Sequence, residues 1–282
     1  MHAPMFSLEV FPPRRTAPVG TIYDTMDGLQ GMHPDFISVT YGTGKQADRT
    51  ATARIANTIR AEYGIPAVAH LTARYADRDE IDRELDLFED AGVKATLALR
   101  GDSRVDTDPC GEFKHASDLV SYIRERKPEM KVYAACYPEG HPEAANLDAD
   151  IDNLKTKVDA GVDHLISQLF FDNEDYLRFL DKARKAGIGV PIEAGIMPVT
   201  NASRVRHMVG MCGSRIPSTV EKMIERWGDD PDAMQEAGII YASAQISDLV
   251  ARDVDGIHLY TMNKAVTTRR IWNNVRPLFH SR

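Results

Sequence analysis

Cysteine is scarce in this chain, and basic charge and long apolar runs are scarce with it. Cys110, Cys136 and Cys212 lie far apart among 282 residues, with no CxxC pair and no zinc-type spacing. That excludes a disulfide framework and a structural zinc, and it reads as reduced thiols of a cytoplasmic protein. No apolar run reaches transmembrane length, and no charged segment followed by an apolar stretch opens the chain, so neither a membrane span nor a leader is expected. The 34 Lys and Arg are outnumbered by 42 Asp and Glu, giving a net charge of −8. A surface so biased repels nucleic acid and anionic membranes. Catalytic signatures are missing too. There is no Gly-x-Ser-x-Gly elbow, no close His and carboxylate spacing for a metal, and no Lys that ends a strand for a Schiff base. Carboxylate acid–base chemistry without a metal remains.

What the chain does contain is a repeated alternation. Apolar runs of strand length are predicted at Ser7–Phe11, Phe36–Thr40, Ala67–Leu71, Ala95–Leu99, Lys131–Tyr137, His164–Gln168, Val190–Gly195 and Gly256–Tyr260. Between and after them, helical periodicity covers Val19–Leu29, Arg49–Glu62, Glu80–Ala91, Ala116–Arg126, Ala149–Ala160, Asp175–Ala186, Ala202–Met211, Ser218–Trp227, Asp232–Arg252 and Lys264–Val275. Gly92, Gly161, Gly187 and Gly256 each follow a helix and precede a β-branched residue, which reads as a left-handed helix stop. Eight strand–helix pairs in 282 residues fit a single (β/α)8 barrel, typically about 250 residues long. An open doubly wound sheet is the alternative, but it usually carries a Gly-rich turn after its first strand, where Pro12-Pro13 stand here. No linker divides residues 1–282, so one barrel domain is expected.

Barrel chemistry gathers at the C-terminal strand ends. Read in order, those ends supply Glu9, Thr40, His70, Arg100-Gly101-Asp102, Tyr137, Gln168, Glu193 and Thr261–Asn263. Each has an ordinary explanation taken alone: Glu9 a solvated residue on an edge strand, His70 a satisfied core histidine, Asp102 a loop cap. Together they describe a polar pocket.

Ten segments carry a family resemblance: SLEVFPP (Ser7–Pro13), SVTYG (Ser38–Gly42), HLT (His70–Thr72), ALRGD (Ala98–Asp102), YPEGHPEA (Tyr137–Ala144), NLKTKVDAG (Asn153–Gly161), SQLFFD (Ser167–Asp172), GIMPV (Gly195–Val199), RIP (Arg215–Pro217) and LYTMN (Leu259–Asn263). In this order, over nearly the whole chain, they resemble the methylenetetrahydrofolate reductases. The resemblance implies reduction of 5,10-methylenetetrahydrofolate to 5-methyltetrahydrofolate by a nicotinamide donor, with NADH expected. Glu9 matches the general acid on N10, and a largely apolar barrel mouth would favour its protonated form. Asp102 matches a carboxylate that opposes the iminium charge, and Thr40 a threonine beside the reacting atoms. Gln168 matches a pterin-binding residue offering donor and acceptor. Arg204, Met208, Met262 and Lys264 fall on folate-contacting positions, Lys264 toward the glutamate carboxylate.

His70, Leu99, Arg100, Gly101, Asp102, His115, Ala116, Tyr137, His141, Asp150, Asn153 and Lys157 match positions that hold FAD in relatives. There the chain also departs from the pattern. His115 stands for a common Tyr and Thr156 for a phosphate-binding Arg, while Arg204, Met208 and Glu193 replace Gln, Phe and an apolar residue nearby. A stacking face and a phosphate fork are thereby lost. This favours the flavin-free branch of the family, in which hydride passes directly from NADH. A folate-dependent methyltransferase and a non-catalytic folate-binding barrel are the competing readings. A methyltransferase needs no hydride donor, and a binder has no use for a buried acid.

Overall fold

The computed structural model describes residues 3–12, 20–41, 49–103 and 108–280. Pro13, Gly42 and residues 104–107 of the quoted segments and loops lie outside them. Among the described residues the elements run β1 (Met5–Val10), α1 (Gly20–Leu29), β2 (Phe36–Val39), α2 (Arg49–Tyr63), β3 (Ala67–Thr72), α3 (Arg78–Asp90), β4 (Ala95–Leu99), α4 (Ala116–Arg126), β5 (Lys131–Cys136) and α5 (Leu147–Asp159). They continue as β6 (His164–Ser167), α6 (Asn173–Lys185), β7 (Ile192–Ile196), α7 (Ala202–Cys212), α8 (Ser218–Trp227), α9 (Pro231–Ala251), β8 (Gly256–Tyr260) and α10 (Ala265–His280). The strands form a closed barrel in the order β1 to β8. Closure removes every edge, so Glu9 is not an edge-strand residue. Alternation along β1 sends Leu8 and Val10, both fully buried, to one face and Glu9 to the other. Burying each of those apolar side chains is worth about 1.5–3 kcal/mol, which sets the face Glu9 must take.

Internal contacts divide the chain into two compact units. One comprises Ser7–Ala135 with Thr156–Leu165. In it β1 pairs in parallel with β2, β2 with β3, β3 with β4 and β4 with β5. Phe36 meets Tyr133 edge-on at 5.3 Å, and Tyr133 stacks on His164 at 4.6 Å. Asp77 caps α3 by accepting from the Glu80 N–H at 2.7 Å, and Glu80 reciprocates, which starts the helix where its apolar face Ile81, Leu85 and Phe88 begins. The other unit comprises Met1–Phe6, Cys136–Lys155 and Ile166–Arg282. In it β7 and β8 are parallel, and Phe6 stacks on Trp272 at 4.3 Å with Phe279 edge-on.

Among the differences from the sequence reading, two boundaries and one turn have a clear physical reason. β7 begins at Ile192 rather than Val190, because Pro191 has no N–H to give a ladder. α10 continues past Pro277 to His280 rather than stopping at Val275. Phe279, 7% exposed against Phe6 and Trp272, gains from that last turn enough burial to offset much of the lost hydrogen bond. Gly92, Gly161 and Gly187 do adopt positive φ, but Gly256 does not. Asp253 takes the left-handed turn there, at φ 55°. Gly256 instead opens β8 where a Cβ would stand 2.9 Å from Glu193 Cγ and from Met5 Cβ.

Candidate active site

In the first unit Glu9 and His70 come together. Their side chains are 17% and 8% exposed, and His70 Nε2 stands 3.5 Å from Glu9 Oε2. That is longer than an ordinary N–H···O bond, so the imidazole is an electrostatic neighbour rather than a clamp. His70 is thus one polar neighbour of a carboxyl that is otherwise largely shielded from solvent. Thr40, half-buried just beyond β2, is fixed by its backbone: its N–H donates to Val10 O at 3.0 Å and its carbonyl accepts from Thr52 Oγ1 at 3.1 Å. Next to it the Tyr41 hydroxyl donates to the buried Glu84 at 2.5 Å.

The segment after β4 is held by the chain after β3. Ala73 N donates to Leu99 O at 3.2 Å and Arg74 N to Arg100 O at 2.7 Å, so the ladder continues past both strands. Gly101 turns at φ 94°, beside Thr72. Leu99 and Arg100 are half-buried and Asp102 is exposed. His115 is exposed at the start of α4, its N–H bound to Asp118 at 2.9 Å, and Ala116 is half-buried. Asn153 and Thr156 are exposed on α5. Lys157 Nζ donates to Ala135 O at 2.5 Å.

In the second unit Gln168 follows β6. Its N–H donates to Cys136 O at 2.7 Å, and its side-chain Oε1 accepts the Leu169 N–H at 2.8 Å. A backbone N–H can only donate, so the atom facing it is the amide oxygen, which has a second lone pair besides. Tyr137 and His141 meet edge-on at 4.7 Å; Asp150 accepts the His141 N–H at 3.0 Å, and His141 Nδ1 accepts the Glu143 N–H at 3.1 Å. Met208 is half-buried and packs against a cluster containing Leu169, Met197 and Val205. Met262 and Asn263 lie consecutively at φ 51° and 52°, a turn that non-glycine residues rarely adopt and that functional sites often hold. Lys264 follows it, half-buried; burial, and then the nearby Arg204 charge, lower its pKa.

Several pairings escaped the sequence reading, although Glu193 itself was among the strand-end residues. Glu193 and His258 are both fully buried, with 3.8 Å between Oε2 and Nδ1. Arg215 bridges Glu139, 3.0 Å from its own backbone N–H, and the buried Asp175 at 2.5 Å. Burial raises the pKa of Glu139 despite that arginine. Tyr260 donates to Ser167 O at 2.7 Å. The sequence signal that points to it is Gly195, since a glycine inside a strand marks a close approach. Among the described residues no cluster of His, Cys, Asp and Glu could hold a metal ion, and no helix is long and apolar enough to cross a membrane.

The family described as Methylenetetrahydrofolate reductase matches residues 1–276. A protein named 5,10-methylenetetrahydrofolate reductase from Escherichia coli (strain K12) is 37% identical over 276 residues, covering 96% of this chain and 91% of that protein. The protein of that name from Pectobacterium carotovorum subsp. carotovorum is 35% identical over 273 residues, 96% of this chain and 90% of its own. "Methylenetetrahydrofolate reductase (NADH) 1" of Arabidopsis thaliana is 33% identical over 92% of this chain and 46% of its own length. Among solved structures, a protein from Clostridium thermocellum described as binding two copies of 5-methyl-5,6,7,8-tetrahydrofolic acid superposes with a TM-score of 0.69 at 14% identity, covering 99% of this chain and 96% of that one. At that identity the likeness is one of fold.

Proposed function

The chain belongs to the methylenetetrahydrofolate reductase family, and from that premise we propose that residues 1–282 act as one cytoplasmic barrel enzyme reducing 5,10-methylenetetrahydrofolate to 5-methyltetrahydrofolate with NADH. The observation that carries the reading is Glu9, a carboxyl on the polar face of β1 beside His70, with its apolar neighbours committed to the opposite face. Glu9, protonated, gives its proton to N10; the bond from N10 to the one-carbon unit breaks, and the electron pair of N5 forms the iminium. Hydride from NADH adds to that carbon, leaving a methyl group on N5 and releasing NAD⁺. Asp102 opposes the iminium charge, which exists only along the reaction path. Thr40 lines the reacting atoms. The Gln168 amide donates to the pterin edge, while Lys264 and Arg204 meet the glutamate carboxylates and Met208 and Met262 supply apolar contact.

Relatives use FAD between nicotinamide and folate, and the residues here fit a flavin poorly. A pyrophosphate needs fixed cations or clustered N–H groups. Lys157 is turned to a backbone carbonyl, Thr156 carries no charge, and the Asp150 carboxylate is engaged by His141. Because NADH carries a pyrophosphate as well, the choice between the two rests on His115, which stands where relatives have a stacking Tyr; on that ground we read Arg100–Asp102, Tyr137 and His141 as serving NADH, with hydride passing to folate directly. Direct transfer requires both ligands bound together, their reacting carbons ~3–3.5 Å apart. Initial rates measured against both substrates should give intersecting double-reciprocal lines from colourless protein without added FAD. Yellow protein with stoichiometric FAD and parallel lines would overturn direct transfer and leave the folate reduction standing.

A further inference from the structure

Tyr260 makes an unusual crossing. It lies on β8, two residues past His258 on the same face, yet its hydroxyl donates at 2.7 Å to Ser167 O on β6, with β7 between. The crossing is possible because Gly195 of β7 has no side chain. A Cβ there would stand 2.2 Å from Ser167 O and 2.9 Å from the Tyr260 hydroxyl, so carbonyl and phenol meet in the space a side chain would fill. The Gly195 N–H donates instead to the Ser167 hydroxyl oxygen at 2.8 Å, and that hydroxyl donates to Gln168 O at 3.0 Å. Every polar group of the Ser167–Gln168 peptide is therefore held: the Ser167 carbonyl by Tyr260, the Ser167 side chain by Gly195 and Gln168, and the Gln168 N–H by Cys136. The buried His258 ring lies edge-on to the Tyr260 ring, with 5.3 Å between centroids.

We propose that Tyr260 is a positioning residue for folate, its hydroxyl fixing the Ser167 carbonyl so that the next residue, Gln168, presents its amide nitrogen to the pterin. The proposal rests on the reading of Gln168 as the pterin donor. Tyr260 itself does not have to touch the substrate. Its energetic reach runs through a neutral hydrogen bond, so loss of the hydroxyl costs a modest factor rather than the activity.

A double-mutant cycle on the full chain separates this from a merely structural tyrosine. Steady-state rates with 5,10-methylenetetrahydrofolate and NADH are measured for wild type, Tyr260→Phe, Gln168→Ala and the double variant, with melting temperatures alongside. Tyr260→Phe should raise the folate KM about three- to ten-fold and leave kcat and the NADH KM within about two-fold. In the Gln168→Ala background the same substitution should add nothing. An equal factor in both backgrounds, an equal effect on the NADH KM, or a collapsed melting transition in Tyr260→Phe would make the hydroxyl a general structural element and overturn the proposal. A wild-type-like Tyr260→Phe beside a damaged Gln168→Ala overturns the proposal alone. A Gln168→Ala variant with an unchanged folate KM overturns the placement of the pterin as well.

Discussion

Replacing Glu9 by Gln tests the chemistry at its first step. The amide has the carboxyl's shape and can still face His70, from which Glu9 Oε2 stands 3.5 Å. It changes no apolar packing, since Leu8 and Val10 on the other face of β1 are untouched and fully buried. What it removes is the transferable proton. General acid catalysis contributes about 10²–10⁴-fold, equivalent to about 3–5 kcal/mol of barrier, and turnover should fall by that factor. Folate and NADH affinity should stay within a few-fold, because the lost interaction is made in the transition state. His70→Asn is the internal comparison. The 3.5 Å separation is too long for a strong bond, so removing the imidazole should cost no more than about ten-fold. The assay is the loss of NADH absorbance at saturating folate, with folate binding followed separately by calorimetry. Turnover above about one-tenth of wild type in Glu9→Gln, or a His70→Asn loss larger than the Glu9→Gln loss, would refute the assignment of the acid.

Asp102→Asn should lower kcat more than it raises either KM, because its charge opposes a cation absent from the ground state; a KM-only effect would make Asp102 a binding residue. Glu139 gives a test in stability rather than rate. Its pKa is raised by burial above the ordinary 4.5. A carboxyl so shifted contributes stability that is fully present below 4.5 and is lost as pH rises through the raised value. Glu139→Gln keeps an acceptor for Arg215 and does not titrate, so its melting temperature relative to wild type should climb between acid and neutral pH. A difference that falls with pH would mean that the Arg215 pairing outweighs the burial.

The fold was legible because each strand announces itself locally. A buried parallel strand needs apolar residues on both faces, and the short return before it needs a turn, so eight apolar runs, each followed by at least one helix, leave few alternatives to a barrel. Local reasoning fails where a distant group decides. At Pro277 the helix looks finished, but Phe6, at the other end of the chain, draws Phe279 into contact and extends α10. At Gly256 the neighbouring sequence reads as a helix stop, yet Asp253 makes that turn, and the glycine is needed because Met5 and Glu193 close in on it.

The site follows the same division. Residue types at strand ends could be read one strand at a time, and Glu9, Thr40, His70 and Gln168 stand where their strands put them. Which atoms they address could not be read. Arg215 reaches Glu139 across 76 residues, and Tyr260 reaches Ser167 across 93. The Gln168 side chain shows what this adds. Its sequence position says only that an amide follows β6; the Leu169 N–H on Oε1 identifies which atom of that amide is the oxygen. That distinction has a consequence for ligands. A site presenting the Gln168 nitrogen selects acceptor atoms on the pterin edge, so an analogue whose matching acceptor is replaced by a donor should bind far worse, because two donors would then oppose each other in a half-buried place.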